Sequence, residues 1–393
     1  MKSLIVLFLF CFSTLLSCNS LEDYKIAFID ISNDIRYKKW GVHPVDIRSK
    51  FNKEKRAVAG ARLAIEDSKK LQRLTKINFM LEYFSFNEIE DLKLFLNTGK
   101  EKVFNAIILD LDFENIKKIK ESIVDNKNII FFNISEPDNN LRLDFCEKNF
   151  FNTYPSNSML TDATAQYLIE KNWKKVLMLT GPLKQDKDIS LSFKKSAIKF
   201  GLKIINEKYF VNSNDPRVRD KNDLSFLTEG KKYQSIFISD TDGEFSLSVP
   251  NASQKPAIVT GSSGLIPLAW HWSYLRHGAP QLNGRFERLS NRRMESKDWA
   301  AWISVKALVQ ATLRVKKLNT DEIIKFFLGD NLQLDGSKGI GLNFKYNTNQ
   351  LRQPILLISS DNWVTANVPL ESFKNRSNNL DTIGISSNKT KCN

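Results

Sequence analysis

The sequence predicts an α/β protein made of two doubly wound parallel-sheet lobes with a ligand cleft between them. Short apolar segments rich in β-favouring residues alternate with segments of helical periodicity, and this alternation stops once and then resumes. Strands that alternate with helices of this length form βαβ units and parallel sheets. The chain has 393 residues, which is more than one hydrophobic core usually supports and therefore favours two domains.

The first run of alternating elements begins with a buried strand at residues 24–31, followed by a polar loop. A helix is expected at residues 53–71, where apolar side chains recur at helical spacing. The elements expected next are strands at 77–84, 106–111 and 129–134 and helices at 89–96 and 113–124. A loop that contains Pro137 then interrupts the pattern, so the two units are expected to join near residues 136–150.

The second run restarts after Tyr154 and Pro155. It predicts helices at 159–171 and 189–200, the latter ended by Gly201, a natural C-cap residue, and strands at 175–180, 202–211, 235–239 and 257–261. The last third predicts helices at 282–289, 298–316 and 320–328, then a β-hairpin or ribbon from 335–344 and 354–359. This part is too small for a third core, so we expect it to return to both lobes.

These elements give an expected domain organisation. Residues 1–20 are a signal peptide, residues 21–140 with about 268–330 form the first lobe, residues 141–267 with about 331–370 form the second lobe, and residues 371–393 are a C-terminal tail.

The N-terminus has the pattern of an export signal. Lys2 precedes an apolar run of about 13 residues, which is too short to span a bilayer and suits the h-region of a signal peptide. Leu15-Leu16-Ser17-Cys18 resembles a bacterial lipobox, which implies cleavage before Cys18 and lipid on its sulfur. Plain cleavage nearby, for example after Ser20, and a buried N-terminal helix are the alternatives.

Two cysteines remain after the signal region, Cys146 and Cys392. An exported chain folds in an oxidising compartment, where pairing is favoured, so we expect a disulfide that ties the tail to the second lobe. The alternative is two unpaired thiols.

The formal net charge is +14, but lysines are spread along the whole chain. The sequence contains no RNP-type motif, zinc-ligand spacing or basic helix that would indicate nucleic-acid binding. A solvated basic surface is the expected explanation, and no nucleic-acid partner is expected.

Two segments resemble type I periplasmic binding proteins, the branched-chain amino-acid-binding class. The segment Lys53-x-x-Arg56-x-x-x-Gly60-Ala61-x-Leu63-Ala64-x-Glu66-Asp67 resembles the first helix of that fold, and the segment Asn152-x-x-Pro155-Ser156-x-x-x-x-x-Asp162-Ala163, with Trp173-Lys174-Lys175-Val176, resembles the start of its second lobe. The small residues Gly60 and Ala61 are expected to let the first helix pack closely on its sheet. The resemblance implies a solute-binding protein that serves an ABC transporter permease.

Other segments resemble a narrower group, the substrate-binding proteins associated with PQQ-dependent alcohol dehydrogenase systems. The segments that carry this resemblance are Trp40-Gly41-Val42-His43-Pro44, Asp242-Gly243-Glu244-Phe245, Gly264-Leu265-x-Pro267-x-Ala269-Trp270-His271, Gly278-Ala279-x-Gln281-Leu282-x-x-Arg285-Phe286, Asp298-Trp299-Ala300-Ala301-Trp302, Leu351-Arg352-Gln353-Pro354-Ile355-Leu356 and Leu380-Asp381-Thr382-x-Gly384. The resemblance runs from about residue 24 to the C-terminus and implies a role beside periplasmic alcohol oxidation.

The candidate ligand-binding residues lie where predicted strands end, because open α/β sheets bind ligands at the carboxyl ends of their strands. They are Ser85, Asp110, Ser135, Tyr154, Asp240, Trp270 and His271. Unpaired acidic side chains at these ends would repel a carboxylate, so the pattern favours a cation, polyol or amine over an acid. The alternatives are helix caps for the two aspartates, hinge packing for Trp270 and His271, and core packing for Tyr154.

Catalysis is not indicated by the sequence. Gly261-Ser262-Ser263-Gly264 is not a nucleophile elbow, and no Gly-x-Gly-x-x-Gly follows the first strand. We expect no enzymatic activity, no cofactor and no metal, and a monomer in the periplasm that touches the membrane only through a possible lipid anchor. A sensory ligand-binding protein that reports to a membrane partner is the remaining alternative.

Overall fold

The computed structural model describes residues 21–38, 56–71, 74, 76–212, 216–230, 232–315, 317–373, 375, 377–386 and 392. The predicted signal peptide, Cys18 and the segment Trp40 to Pro44 lie outside these ranges.

The first part of the chain forms alternating strands and helices. These are β1 (Glu22–Ile31), α1 (Ile35–Lys38), α2 (Val58–Ser68), β2 (Ile77–Phe86), α3 (Ile89–Asn97), β3 (Ala106–Asp110), α4 (Phe113–Lys118), α5 (Lys120–Asp125), β4 (Ile130–Asn133) and β5 (Phe150–Asn152), with 3-10 turns at Lys69–Leu71, Lys100–Val103 and Asn139–Arg142.

The second part repeats the alternation. It contains α6 (Asn157–Glu170), β6 (Lys175–Thr180), α7 (Lys184–Phe200), β7 (Lys203–Tyr209), α8 (Pro216–Arg219), a 3-10 turn (Asp220–Asn222), α9 (Leu224–Leu227), β8 (Ser235–Ser239), α10 (Val249–Ala252) and β9 (Ile258–Gly261).

The last part contains a strand, three helices and a series of short strands. These are β10 (Ile266–Leu268), α11 (Ala279–Ser290), α12 (Ser296–Thr312), α13 (Thr320–Leu328), β11 (Leu334–Asp335), β12 (Gly341–Lys345), β13 (Gln350–Arg352), β14 (Ile355–Ile358), β15 (Val364–Val368) and a 3-10 turn at Asn379–Thr382.

The first lobe is built on an eight-stranded sheet in the order β11-β12-β13-β5-β4-β3-β1-β2, in which the neighbours from β5 to β2 all pair in parallel. Both faces of this sheet are covered. In β1, Ile26 and Phe28 pack into one buried cluster with α2, α11, α12 and α13, whereas Ala27 and Ile29 pack into another with α3, α4 and α5. Side chains alternate across a strand, so one apolar strand supplies two cores.

The second lobe is built on a parallel four-stranded sheet in the order β7-β6-β8-β9. Leu177 and Leu179 of β6 pack on one face, and Val176 and Met178 pack on the other against α6 and α7. The predicted α/β class with parallel sheets in two units is confirmed.

A three-stranded antiparallel ribbon, β10-β14-β15, lies where the chain passes between the two lobes. Leu356 and Ile358 of β14 belong to the core of the first lobe, whereas Ile355 and Leu357 pack against α6 of the second lobe. The ribbon thus contributes one face to each lobe. The sequence pattern indicated a β-ribbon here but missed β10 and β15.

Two segments were assigned to the second lobe in the expected domain organisation and belong to the first sheet instead. β5 pairs in parallel with β4, and β11 to β13 extend the same sheet. The first lobe therefore continues to Asn152, and the segment 331–352 returns to it. The first assignment was wrong because β5 has three residues, too few for periodicity to identify it, and the second because a local strand pattern does not indicate which sheet the strand joins.

Two helix expectations also differ from the structure. The helix expected at 113–124 is divided into α4 and α5 at Ile119, whose φ of −99° and ψ of 10° are not helical.

Gly60 was expected to let α2 pack closely on the sheet, and it has a different role. A Cβ built on Gly60 would lie 1.9 Å from the carbonyl oxygen of Asp298, so this glycine lets α2 approach α12.

Candidate functional site

Three polar residues lie side by side at the carboxyl ends of neighbouring strands of the first sheet: Asp30 and the predicted site residues Ser85 and Asp110. In the strand register Asp30 lies opposite Ser85 of β2 on one side and opposite Asp110 of β3 on the other. Ser85 Oγ donates to Asp30 Oδ1 over 2.6 Å, and Tyr83 OH donates to Oδ2 over 3.0 Å. Arg56 Nη1 lies 3.4 Å from Asp30 Oδ2. Burial raises the pKa of Asp30, although Ser85 and Arg56 oppose that shift.

Asp110 is fully buried and fully engaged. Arg36 Nη2 donates to Asp110 Oδ1 and to its carbonyl oxygen, each over 3.1 Å. Tyr37 OH donates to Oδ2, and Lys297 Nζ lies 3.9 Å from Oδ1. Burial acts to raise the pKa of Asp110, but Lys297 and Arg36 outweigh it and hold that pKa below its usual value.

Arg36 joins Asp110 to a further strand end. Its Nε lies 3.1 Å from Oδ1 and 2.9 Å from Oδ2 of Asp34, and its Nη2 lies 2.5 Å from the same Oδ2. Its Nη1 donates to Ser135 Oγ over 3.0 Å. Ser135 Oγ donates in turn to the carbonyl oxygen of Leu111 over 3.2 Å. The planar fork of arginine suits this convergence of acceptors. Sequence reasoning missed Arg36, because α1 has four residues and no periodicity.

We call this group the strand-end cluster; its charged members are Asp30, Asp34, Arg36, Arg56, Asp110 and Lys297. Three carboxylates thus face three cations. The sequence-based preference for a cation, polyol or amine over an acid applied to acidic side chains without a partner. Asp110 does have partners, because Arg36 and Lys297 lie beside its carboxylate, and the charge of the cluster no longer disfavours a carboxylate ligand.

Tyr154 begins the first passage of the chain from the first lobe to the second. Its ring is half-buried, and burial raises the pKa of its hydroxyl to about 12. Its carbonyl oxygen accepts from Arg142 Nη2 over 2.7 Å and from Gln350 Nε2 over 3.1 Å. The crossing is therefore anchored to buried side chains of the first lobe.

Asp240 follows β8 in the second lobe, as the sequence predicts, and it caps a turn. Its Oδ2 accepts from the Ser246 amide over 2.8 Å, and its own amide donates to Ser262 Oγ over 2.8 Å. The helix-cap alternative is thus close to its observed role.

The second lobe also contains a buried chain of hydroxyl groups that sequence reasoning missed. It runs from Thr180 through Ser190 to Ser239, with oxygen separations of 2.7 and 2.6 Å.

Trp270 and His271 do not lie together at a cleft surface. Trp270 is buried in the core of the first lobe, where its ring stacks on Trp299 with centroids 6.1 Å apart, and its Nε1 donates to Asn283 Oδ1 over 3.0 Å. The expected stacking of Trp270 on a ligand is wrong, because the ring is 1% exposed and is packed within the core of the first lobe. His271 is 8% exposed, and its Nδ1 lies 2.7 Å from Ser273 Oγ.

The carboxyl-end loops of the two sheets meet each other. Lys184, at the start of α7 after β6, lies with Nζ 2.7 Å from Oε1 of Glu114, at the start of α4 after β3. The same ammonium lies 5.6 Å from the ring centroid of Phe113. Since each loop follows a strand end, carboxyl-end loops of the two sheets are in contact at this point.

Cys146 and Cys392 form a disulfide, with a Cα–Cα distance of 4.5 Å. Cys146 lies in the first lobe, in the segment between the 3-10 turn Asn139–Arg142 and β5. The bridge therefore ties the C-terminal tail to the first lobe, and its expected attachment to the second lobe is wrong for the reason that misplaced β5.

The role of Asp110 in the cluster leads to a stability prediction. Asp110→Asn is expected to lower the free energy of unfolding by about 1.5–3 kcal/mol, because the hydrogen bond from Arg36 loses its charged acceptor and the attraction between Asp110 and Lys297 is lost. Asp112→Asn is the matched control and should be nearly neutral, because Asp112 caps α4 by accepting from Asn115 and Asn caps equally well. Urea unfolding at pH 7 measures both; equal losses in the two variants would contradict the pairing described here.

Within the described ranges, no group of three or more His, Cys, Asp or Glu residues is arranged to hold a metal ion. Every helix in those ranges is too short or too polar to cross a bilayer.

No protein-family model matches the chain, and no curated protein matches its sequence.

The fold is similar to that of solved periplasmic binding proteins. A periplasmic binding protein from Burkholderia mallei aligns with 94% of this chain and 98% of its own at 11% identity and a TM-score of 0.63. A branched-chain amino-acid ABC transporter ligand-binding protein from Burkholderia xenovorans aligns with 86% of this chain and 90% of its own, at 10% identity and a TM-score of 0.65. An ABC transporter solute-binding protein from R. palustris, solved with benzoate, aligns with 94% of this chain and 99% of its own, at 12% identity and a TM-score of 0.65. The predicted two-lobed periplasmic binding protein type I fold is thus confirmed.

Proposed function

We propose that this protein is an extracytoplasmic solute-binding protein, which captures a small polar solute between its lobes and delivers it to an ABC transporter permease. The observation that carries the proposal is the contact of Lys184 with Glu114, where the carboxyl-end loops of two parallel sheets meet. Sheets of this kind bind ligands at that edge, and solutes are enclosed there by hinge closure. Solved proteins of similar fold support it, including one from Desulfitobacterium hafniense in complex with Leu.

The groups that we propose to line the solute site come from both lobes. In the first lobe they are Arg36, Ser135 and Tyr154, next to Ser85 and Asp110, and in the second lobe the turn at Asp240; His271 is proposed at the edge of the site. The balanced charges of the strand-end cluster suit a polar solute of either sign. Carboxylates are therefore included, as in another solved solute-binding protein of similar fold, from Rhodopseudomonas palustris BisB5, in complex with 3,4-dihydroxybenzoic acid.

The finer parts of the proposal rest on the sequence. Export to the periplasm rests on the signal pattern at the N-terminus, lipid on Cys18 on the resemblance to a lipobox, and service to a transporter linked to PQQ-dependent alcohol oxidation on the resemblance of the segments named above. Action as a monomer is part of the same proposal. Intact-mass analysis of the membrane fraction tests the anchor, since a diacyl or triacyl addition at Cys18 is expected. A free N-terminus at Leu21 in a soluble periplasmic fraction would contradict it.

The capture function is tested by native mass spectrometry of the gently purified protein, followed by isothermal titration. One co-purifying small molecule at a ratio of one to one is expected. A thermal-shift panel of branched-chain amino acids, benzoates, aliphatic alcohols, aldehydes and acids then identifies its class; stabilisation by alcohols or their oxidation products would support the PQQ link. The absence of both a bound solute and any thermal shift across the panel would contradict solute capture.

The proposed site gives a specific prediction for Ser135. Ser135→Ala is expected to weaken binding of the identified solute about 3- to 10-fold, because one hydrogen-bonding hydroxyl is removed and Arg36 loses a partner. Ser225→Ala is the matched control, since Ser225 is exposed and bonded to its neighbour Asp223. Isothermal titration measures both variants; equal affinities with normal melting would place the solute elsewhere.

A further inference from the structure

The last described segment of the chain contacts both lobes. Residues 378–386, which we call the strap, follow the ribbon and include the 3-10 turn Asn379–Thr382. The strap contacts two elements that flank the crossings between the lobes. One is α6, which begins just after the first crossing, and the other is β13, which ends just before the last crossing.

On one side the strap is fixed to α6 and α7 of the second lobe. The amide of Gly384 donates to Asp162 Oδ2 over 2.8 Å, and Lys199 Nζ donates to the Gly384 carbonyl over 3.2 Å. Gln166 Nε2 donates to Thr382 Oγ1 over 3.0 Å. A Cβ on Gly384, whose φ is +90°, would lie 2.9 Å from Met159 Cγ, so the backbone packs directly on α6.

On the other side the strap is fixed to β12 and β13 of the first lobe. Asp381 receives Arg352 Nε on Oδ1 over 2.8 Å and Nη2 on Oδ2 over 3.2 Å. Lys345 Nζ lies 3.3 Å from Asp381 Oδ1 and donates to the carbonyl oxygen of Ile385 over 2.8 Å. Further along the chain, the disulfide to Cys146 adds a covalent attachment to the same lobe.

The strap also lines a small cavity between the lobes. This cavity of about 20 Å³, the room that one water molecule needs, is lined by Ser156 and Met159 of the second lobe, by Lys345 and Arg352 of the first, and by the strap at Leu380 and Ile385. Residues of both lobes and of the strap therefore meet around one point, and the strap connects the two lobes there.

We propose that the strap is an interlobe tether, which favours the lobe arrangement in which Lys184 meets Glu114. Rotation of the lobes about their crossings moves α6 relative to β12 and β13, and this movement must stretch or break the contacts of Asp381 or of Gly384. The strap therefore sets how readily the ligand-free lobes separate. This inference goes beyond solute capture, and it rests on the proposed function only in assuming that the lobes move.

The test compares Asp381→Asn with Asp361→Asn in ligand-free protein. Asp361 is an exposed residue of the same C-terminal region and serves as the matched control. Small-angle X-ray scattering is expected to show a larger radius of gyration for Asp381→Asn than for wild type or control. Hydrogen exchange of the Gly384 amide is expected to accelerate about tenfold, because the strap loses its ion pair to the first lobe.

Cys392→Ser is a second variant that cuts the covalent attachment without touching a sheet, and it is expected to change the radius of gyration in the same direction. An unchanged radius of gyration in both variants would overturn the tether, whether or not the Gly384 amide exchanges faster. Because no solute takes part in these measurements, a failure to find a ligand leaves their outcome unaffected.

Discussion

At pH 7.5, Arg292→Met is expected to lower the free energy of unfolding by about 3–5 kcal/mol, the usual cost of removing one partner from a buried ion pair. Arg292 Nη1 and Nη2 each lie 2.7 Å from a carboxylate oxygen of Asp298. Both side chains are almost fully buried, at 6% and 2% exposure. Asp298 also accepts from the Glu295 amide at the start of α12. The substitution keeps the apolar stem and leaves a buried carboxylate without its cation.

The loss is expected to shrink as the pH falls. Burial raises the pKa of Asp298 to about 6 even beside Arg292, and removal of that cation raises the pKa further. A folded-state pKa above the unfolded value near 3.9 means that the folded state binds the proton more tightly. Stability is therefore gained as pH falls through the folded pKa towards the unfolded one, and the variant gains more than wild type.

Urea unfolding at pH 7.5 and pH 5 measures this effect, with Arg293→Met as the matched control. Arg293 is exposed, with its guanidinium 3.5 Å from the ring centroid of Trp272, and its loss should change stability by less than about 1 kcal/mol. A deficit for Arg292→Met that is the same at both pH values would show that Asp298 does not become an unpaired charge.

Gly60→Ala is expected to destabilise the protein by about 3 kcal/mol. The added methyl group would lie 1.9 Å from the carbonyl oxygen of Asp298, a backbone atom, so α2 and α12 must move apart. Overpacking of this kind costs about 1–3 kcal/mol, occasionally more, and these two helices are packed along their length in the first-lobe core. In an exposed helix the same change would stabilise by about 0.5–1 kcal/mol.

Gly284→Ala is the matched control for this prediction. Gly284 lies within α11, and a Cβ there meets nothing nearer than the end of the Arg288 side chain at 3.7 Å. It is expected to be neutral or slightly stabilising, because helix propensity favours alanine. Thermal unfolding of both variants decides the matter: a neutral Gly60→Ala would mean that α2 and α12 are not in close contact.

Elements with strong periodicity were predicted closely. The strands Lys175–Thr180 and Ser235–Ser239 and the helix Thr320–Leu328 have the expected bounds. Each is long enough for its apolar pattern to distinguish a strand from a helix. Shorter strands such as β5 and β10 were missed, and their omission moved the lobe boundary and the expected attachment of Cys146.

The sequence determined by itself the fold class, the alternation of elements, the second lobe's restart after Tyr154, and the pairing partner available to Cys146. These follow from local pattern and composition, which each segment carries without reference to its neighbours. It also located Asp110 and Ser135 at strand ends. The similar solved structures confirmed the two-lobed fold.

Only the tertiary structure decided what those residues contact. It brought Arg36 and Lys297, which are distant in sequence from Asp110 and from each other, to Asp110. An argument about ligand charge that treated Asp110 as unpaired therefore no longer holds. It also placed Trp270 in a core and the C-terminal strap across both lobes. The physical reason is that the charge balance and the packing of a side chain depend on all of its neighbours in space, and most of these neighbours are distant in the sequence.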